Sequence, residues 1–144
     1  VLIGEMSLVG PRPNVKREVN LYTEEENNLL RVKPGITDIA SIVFSDEGEI
    51  LKNEIDPDLA YHQLIRPGKN KLGLLYIKKN SIFLDIFLIL LTIVAIFNKR
   101  KSLYFLSKLL KYINANEELI RIASRREKLV PSPPPGSLEI VKSR

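Results

Sequence analysis

The chain has 144 residues, enough for about one domain with a modest core, and its 44% apolar and 27% charged residues are a globular composition. It has no cysteine and a single histidine, which excludes a disulfide framework and leaves no ligand set for zinc or blue copper, whereas carboxylates could still hold a hard cation such as Mg²⁺. The net charge of +5 belongs to the C-terminal third, with 11 basic against 4 acidic residues from Lys99 onward and 11 against 13 before it. A basic tail that directly follows a hydrophobic segment points to an anionic membrane surface before nucleic acid; the cations lack aromatic interleaving and carry no nucleic-acid-binding motif.

The chain opens on the apolar run Val1-Leu2-Ile3 and then Gly4-Glu5-Met6-Ser7-Leu8-Val9-Gly10-Pro11-Arg12-Pro13. Pro11 and Pro13 each fix φ and remove a backbone donor, and the residue before a proline is pushed out of helical geometry. Arg12 is therefore expected on a stiff, extended backbone whose shape Gly10, Pro11 and Pro13 set. Its planar guanidinium suits bidentate contact with a phosphate, or with a carboxylate such as Glu5 that would brace the turn; both roles stay open.

Val15, Val19 and Tyr22 then form one apolar stripe at helical spacing. Thr23 and Glu26 make a capping box for a second short helix that should finish before Pro34. After the turn Lys33-Pro34-Gly35-Ile36-Thr37, residues 39–44 are β-prone and fit a short strand, though their length does not decide it. Asp46, Glu47 and Glu49 read as a solvated acidic loop before a helix at Ile50 rather than a metal site. Asp56-Pro57 supplies an N-cap and a first-turn proline for a helix expected to end at Arg66-Pro67-Gly68, with His62 as a helix-surface residue rather than a general base.

Residues 72–79 predict a helix leading into Ile82 to Phe97, 16 residues that are apolar except for Asp85 and Thr92. Spanning a bilayer takes about 20 apolar residues, so this segment reads as an interfacial or core-packed helix ahead of a spanning one. Asn98-Lys99-Arg100-Lys101 should place cations at its C-terminus. Leu103, Leu106, Leu109, Leu110 and Ile113 predict another helix, and Asn116-Glu117-Glu118 caps a last one through about Lys128 with Arg121, Arg125 and Arg126 on its polar side. Pro131 to Gly136 should be extended polyproline II. The fold class expected is mostly α with little β (α+β), several short helices around extended Pro/Gly loops.

Three blocks carry a resemblance over roughly the first 100 residues. Gly4 to Pro13 resembles the Gly-(Asp/Glu)-Met-Ser-Leu-Val-Gly-Pro-Arg-Pro signature of the bacterial sugar transferases, the polyprenyl-phosphate hexose-1-phosphate transferases or monotopic phosphoglycosyl transferases. Lys33 to Thr37 matches their Lys/Arg-Pro-Gly-Ile-Thr turn, and Tyr76 to Asp85 is similar to their Tyr-(Val/Ile)-x-Asn-x-Ser…Asp-(Leu/Ile) passage. The chain departs from the commoner pattern after Thr37, where Asp38-Ile39-Ala40-Ser41-Ile42 and an acidic loop replace an arginine-containing segment; sugar and nucleotide preference do not carry over that gap.

The resemblance implies transfer of a sugar-1-phosphate from a nucleotide diphosphate sugar to polyprenyl (undecaprenyl) phosphate at the cytoplasmic face of the bacterial inner membrane, initiating surface polysaccharide or glycoconjugate synthesis. It also implies Mg²⁺ and a catalytic Asp-Glu pair a few residues ahead of the signature. Residues 1–100 thus look like the C-terminal part of the catalytic domain and 101–144 a basic helical tail ending in a Pro-rich segment. No catalytic or metal-ligating residue is expected in this chain, Arg12 is the candidate phosphate contact, and membrane lipids are expected partners while nucleic acid is not. The alternative is a catalytically inactive membrane-surface or partner-binding module.

Overall fold

The computed structural model describes residues 7–10, 21–32 and 35–142. The predicted helix through Val15 and Val19 lies outside them, as do Pro11, Arg12, Pro13 and the Lys33-Pro34 pair. The described chain is mostly α. Its β content is one parallel ladder, β1 (Ser7–Val9) beside β2 (Gly35–Thr37), in register Ser7 with Gly35 and Val9 with Thr37.

The capping box forms as read. Thr23 N–H donates to Glu26 Oε1 at 3.0 Å and Glu26 N–H donates to Thr23 Oγ1 at 3.2 Å, opening a 3₁₀ helix, Glu26–Arg31, that stops two residues before Lys33. The stretch 39–44 is a helix rather than a strand: α1 (Ile39–Val43) begins because the Asp38 carboxylate accepts from Ser41 N–H at 2.9 Å and from Ser41 Oγ at 2.6 Å. A side-chain N-cap outweighs the β preference of Ile39, Ile42 and Val43, and the burial of all three suits either conformation.

Helix α2 (Glu47–Leu51) carries the acidic cluster, and α3 (Pro57–Ala60) starts where Asp56 Oδ1 accepts from Leu59 N–H at 3.2 Å. Pro67 does not end that helix. A π turn, Tyr61–Ile65, joins α3 to α4 (Arg66–Lys79), and Arg66 N–H bonds back five residues to the Tyr61 carbonyl. The extra residue in this turn shifts the register, so Pro67 falls in the first turn of the next α segment, where a missing N–H costs nothing. His62 is consequently buried, not on the surface, with Arg66 Nη1 3.2 Å from its Nδ1.

Ser81 caps α5 (Ile82–Phe97), the hydrophobic segment with the bounds read from sequence. Asn98 then serves two helices: its N–H closes α5 on the Val94 carbonyl, and its side chain accepts from Lys101 N–H at 3.2 Å to open α6 (Lys99–Tyr112). The Lys99-Arg100-Lys101 cations therefore lie in the first turn of α6 rather than at the end of α5. Ser102, fully buried, donates to the Leu91 carbonyl at 2.8 Å and locks the α5–α6 hairpin. Helix α7 (Glu117–Ser124) starts on Asn116 and stops before Lys128, because Arg125 takes a left-handed conformation at φ 52°. One core runs through these elements, with Val43, Ile65, Leu72, Leu88, Leu106 and Leu110 among its residues.

The tail returns across the body. Ser132 N–H donates to the Gln63 carbonyl at 3.0 Å, Gln63 Nε2 to the Val141 carbonyl at 2.8 Å, and Thr23 Oγ1 to the Pro135 carbonyl. Pro131 to Gly136 is free of helix and strand but not uniformly extended. Ser137 N–H bonds to the Pro134 carbonyl at 3.0 Å across a turn with Pro135 second and Gly136, at φ +84°, third. That is the residue order a type II turn requires.

Candidate functional site

The signature's first described half is strand β1, and its last described residue is Gly10. Gly10 N–H donates to the Thr37 carbonyl at 2.9 Å, so the backbone that continues into Pro11-Arg12-Pro13 leaves from a fixed point. The described parts of the two blocks, Ser7 to Gly10 and Gly35 to Thr37, distant in sequence, are thus one structural unit. Gly35 makes the approach possible: a Cβ there would lie 2.2 Å from Gly10 N and 2.5 Å from the Val9 carbonyl carbon. Of the predicted site residues, Gly10 is placed, while Pro11, Arg12 and Pro13 lie outside the described residues.

The third block closes beneath this unit. Tyr76 on α4 donates its hydroxyl to Asp85 Oδ1 on α5 at 2.6 Å, and its oxygen stands 3.4 Å from the Val9 carbonyl oxygen. Burial of the phenol, the hydrogen bond to Asp85 and the nearby Asp38 charge all push its ionisation above the usual tyrosine range, so Tyr76 acts as a permanent donor. Thr92 Oγ1 donates to the Leu88 carbonyl at 2.8 Å, which leaves the Thr37 hydroxyl to donate to Thr92 across 2.8 Å. Of the two polar residues of the hydrophobic segment, Thr92 bonds β2 directly through Thr37, and Asp85 reaches β1 through Tyr76.

Sequence reasoning missed the most buried charge. Glu26 is fully buried; its Oε1 accepts from Arg66 Nη2 at 2.5 Å and its Oε2 from Arg66 Nε at 2.9 Å, with Asn70 Nδ2 a further donor to Oε2. Arg66 Nη2 also donates to the Leu21 carbonyl at 2.7 Å. The capping box announced Glu26 as a local cap but gave no sign of its long-range partner. The sequence likewise places Asp46 in a solvated loop and Arg125 on the polar side of the last helix, with no sign that they meet. Arg125 instead bonds both Asp46 oxygens, at 2.8 and 3.0 Å, and the Val43 carbonyl at 2.9 Å, while Lys99 Nζ reaches Asp46 at 2.9 Å. Partial burial opposes the Asp46 charge, but the hydrogen bonds and charges of Arg125 and Lys99 outweigh it and lower the carboxyl to about 2. Among the described residues, no three His, Asp or Glu side chains converge as metal ligands.

Arrangement and sequence agree with a comparison against protein families, in which a model described as bacterial sugar transferase matches residues 1–99. The chain belongs to the bacterial sugar transferase family. The matched span covers the β1–β2 unit, α4 and α5, and ends at the first residue of α6. The chain is also similar to the uncharacterized sugar transferase EpsL of Bacillus subtilis (strain 168), 52% identical over 42 residues. That stretch is 29% of this chain and 21% of the relative's length, so most of the relative has no counterpart in the alignment.

Helix α5 also carries an apolar face that is exposed among the described residues. Leu84, Leu88 and Leu91 point into the core, whereas Phe83 and Phe97 are 81% and 85% exposed and Ile86, Leu90 and Ile93 lie between them on the same outer side. No helix among the described residues is long and apolar enough to cross a membrane.

Proposed function

We propose that this sugar transferase moves a sugar-1-phosphate from a nucleotide diphosphate sugar to polyprenyl phosphate, at the cytoplasmic face of the bacterial inner membrane, as the first step of a surface polysaccharide or glycoconjugate. The observation that carries this reading is the anchoring of the signature strand directly upon α5, the helix with the bare apolar face. A strand that leads into a phosphate-binding loop, packed beside a lipid-facing helix, suits a reaction between a soluble donor and a lipid acceptor.

In this reading the Asp-Glu pair that the family resemblance puts ahead of the signature supplies the nucleophile. A carboxylate attacking the donor's β-phosphate would release nucleoside monophosphate and leave a phosphosugar on the protein for the lipid phosphate to accept. Arg12 neutralises phosphate charge with a bidentate fork, and Gly10, Pro11 and Pro13 hold its loop. In this reading Mg²⁺, which the family resemblance implies, neutralises phosphate charge and is held by the upstream pair.

The test is Arg12→Lys in the protein that carries that pair, assayed for nucleoside monophosphate release from UDP-sugars with polyprenyl phosphate. Turnover should fall while the melting temperature holds, since lysine keeps the charge but not the fork. Full turnover would overturn the phosphate role, and a large fall in melting temperature would assign Arg12 to bracing the turn. The bare face of α5 also supports a second reading, a catalytically silent membrane-surface module. Vesicle binding with no monophosphate release from any donor would favour it.

A further inference from the structure

Beyond the family-matched span, α6 and α7 enclose an open groove of about 610 Å³, within the size range of small-ligand sites. On α6, Arg100, Tyr104, Lys108 and Lys111 succeed one another at helical spacing and form one stripe along the groove; α7 and the residues just after it add Arg121 and Arg126. Five cations thus face a space whose single carboxylate is Glu117. Three cations outside the groove are paired, Lys69 with Glu47, Lys71 with Glu118 and Lys99 with Asp46. Here, among the described residues, Arg100, Lys108, Lys111 and Arg126 have no carboxylate partner, and Arg121 reaches only the exposed Glu127 at 3.9 Å.

The floor makes this charge effective. Leu103 is buried and Ile120 half-buried beneath the cations, and a low-dielectric wall strengthens the field at a groove lined by one sign of charge. Tyr104 reports that field. Lys108 Nζ lies 4.5 Å from its ring centre, and the hydrogen bond and charge of Lys108, with Arg126 and Lys111 behind it, hold the phenol below its usual range. Five cations facing a single carboxylate among the described residues leave an excess of positive charge arranged for an anion from outside.

We infer that the α6–α7 groove is a phosphate-binding site, with Lys108, Lys111, Arg121 and Arg126 as the charged contacts and Tyr104 as a wall of the site. Arginine forks and lysine donors around a single space match the several oxygens of a phosphomonoester or diphosphate better than a lone carboxylate. The site is independent of the transferase reading, since it uses no residue of the β1–β2 unit or of Arg12.

Calorimetric titration of the 144-residue chain with inorganic pyrophosphate, and flotation with phosphatidylglycerol vesicles, test the site and separate a soluble phosphate from a lipid headgroup. Lys111→Gln with Arg126→Gln should weaken binding by about tenfold or more, because each removes a charged hydrogen-bond donor. Lys78→Gln with Lys79→Gln, an equal charge change on exposed residues of α4, should alter it by less than about twofold. Pyrophosphate should also shift the 295 nm titration of tyrosine to higher pH, because a bound anion offsets the cations beside the phenol, and that shift should vanish in Tyr104→Phe. Binding of pyrophosphate alone supports a soluble ligand, and binding of vesicles alone, with the same variant pattern, supports a headgroup. Binding of neither, or equal losses in the two double variants, overturns the site.

Discussion

Gly35→Ala is the most direct probe of how the two signature blocks are joined. The new Cβ would lie 2.2 Å from Gly10 N, 2.5 Å from the Val9 carbonyl carbon and 2.8 Å from Gly10 Cα, all backbone atoms that cannot rotate away. Non-bonded heavy atoms need about 3.5 Å, so the strands must part by roughly 1 Å. That separation stretches the Gly10 to Thr37 hydrogen bond and withdraws Val9 from the core beside Tyr76. Overpacking costs about 1–3 kcal/mol, and the lost hydrogen bond adds about 1 kcal/mol. The sum of about 2–4 kcal/mol should lower the melting temperature by roughly 5–15 °C, measured by circular dichroism. In the protein with the upstream acidic pair, a 1 Å displacement of the loop after Gly10 should also cost about 100-fold in turnover. A variant melting within about 2 °C of the native protein would refute the close approach on which the site's geometry rests.

Glu26→Ala should destabilise by about 3–5 kcal/mol in urea denaturation, since it strands the buried Arg66 guanidinium; Glu26→Leu with Arg66→Met should lose clearly less, and equal losses would deny that the pair is a unit. The folded Asp46 carboxyl is lowered to about 2 against an ordinary value near 3.8, so its stabilisation is complete above about pH 4 and is lost as pH falls through about 2. Melting curves of Asp46→Asn and native protein should accordingly differ at pH 7 and converge by about pH 2, and a constant gap would exclude the linkage. Phe83→Ser with Phe97→Ser should leave the melting temperature unchanged yet reduce binding to neutral phosphatidylcholine vesicles by about tenfold or more; unchanged binding would remove α5 from the membrane surface. Lys101→Gln should weaken attachment to anionic vesicles by about fivefold at low salt, with added salt producing the same loss in the native chain.

The elements most legible in the sequence are those whose cause is local. Thr23 with Glu26, Asp56 before Pro57, Ser81 before α5 and Asn116 before α7 each satisfy orphan backbone donors within a few residues, and each begins a helical element in the structure. What escaped depends on partners far along the chain. Glu26 meets Arg66 across 40 positions and Asp46 meets Arg125 across 79, and no periodicity marks either pair. The β propensity of 39–44 lost to one capping aspartate, and Pro67 was absorbed by a π turn that its own neighbourhood does not announce. For the site, glycines and prolines signalled a shaped loop, but the support from Tyr76, Asp85 and Thr92 became visible only when α4 and α5 packed beneath β1 and β2.

The returning tail has a consequence for synthesis. Thr23 bonds to Pro135 across 112 positions, and Gln63 to Val141 across 78, so a segment made late covers ground laid down much earlier. At roughly 5–20 residues per second, translation separates Thr23 from Pro135 by several seconds, far longer than a helix or hairpin takes to form. During that interval the nascent chain holds its 3₁₀ cap without the Thr23 to Pro135 bond and its α3–α4 helix without the strap over Gln63. Arrest of synthesis before Pro135 would leave a ribosome-bound intermediate open to protease near Thr23, and emergence of Pro135 and Val141 would close it.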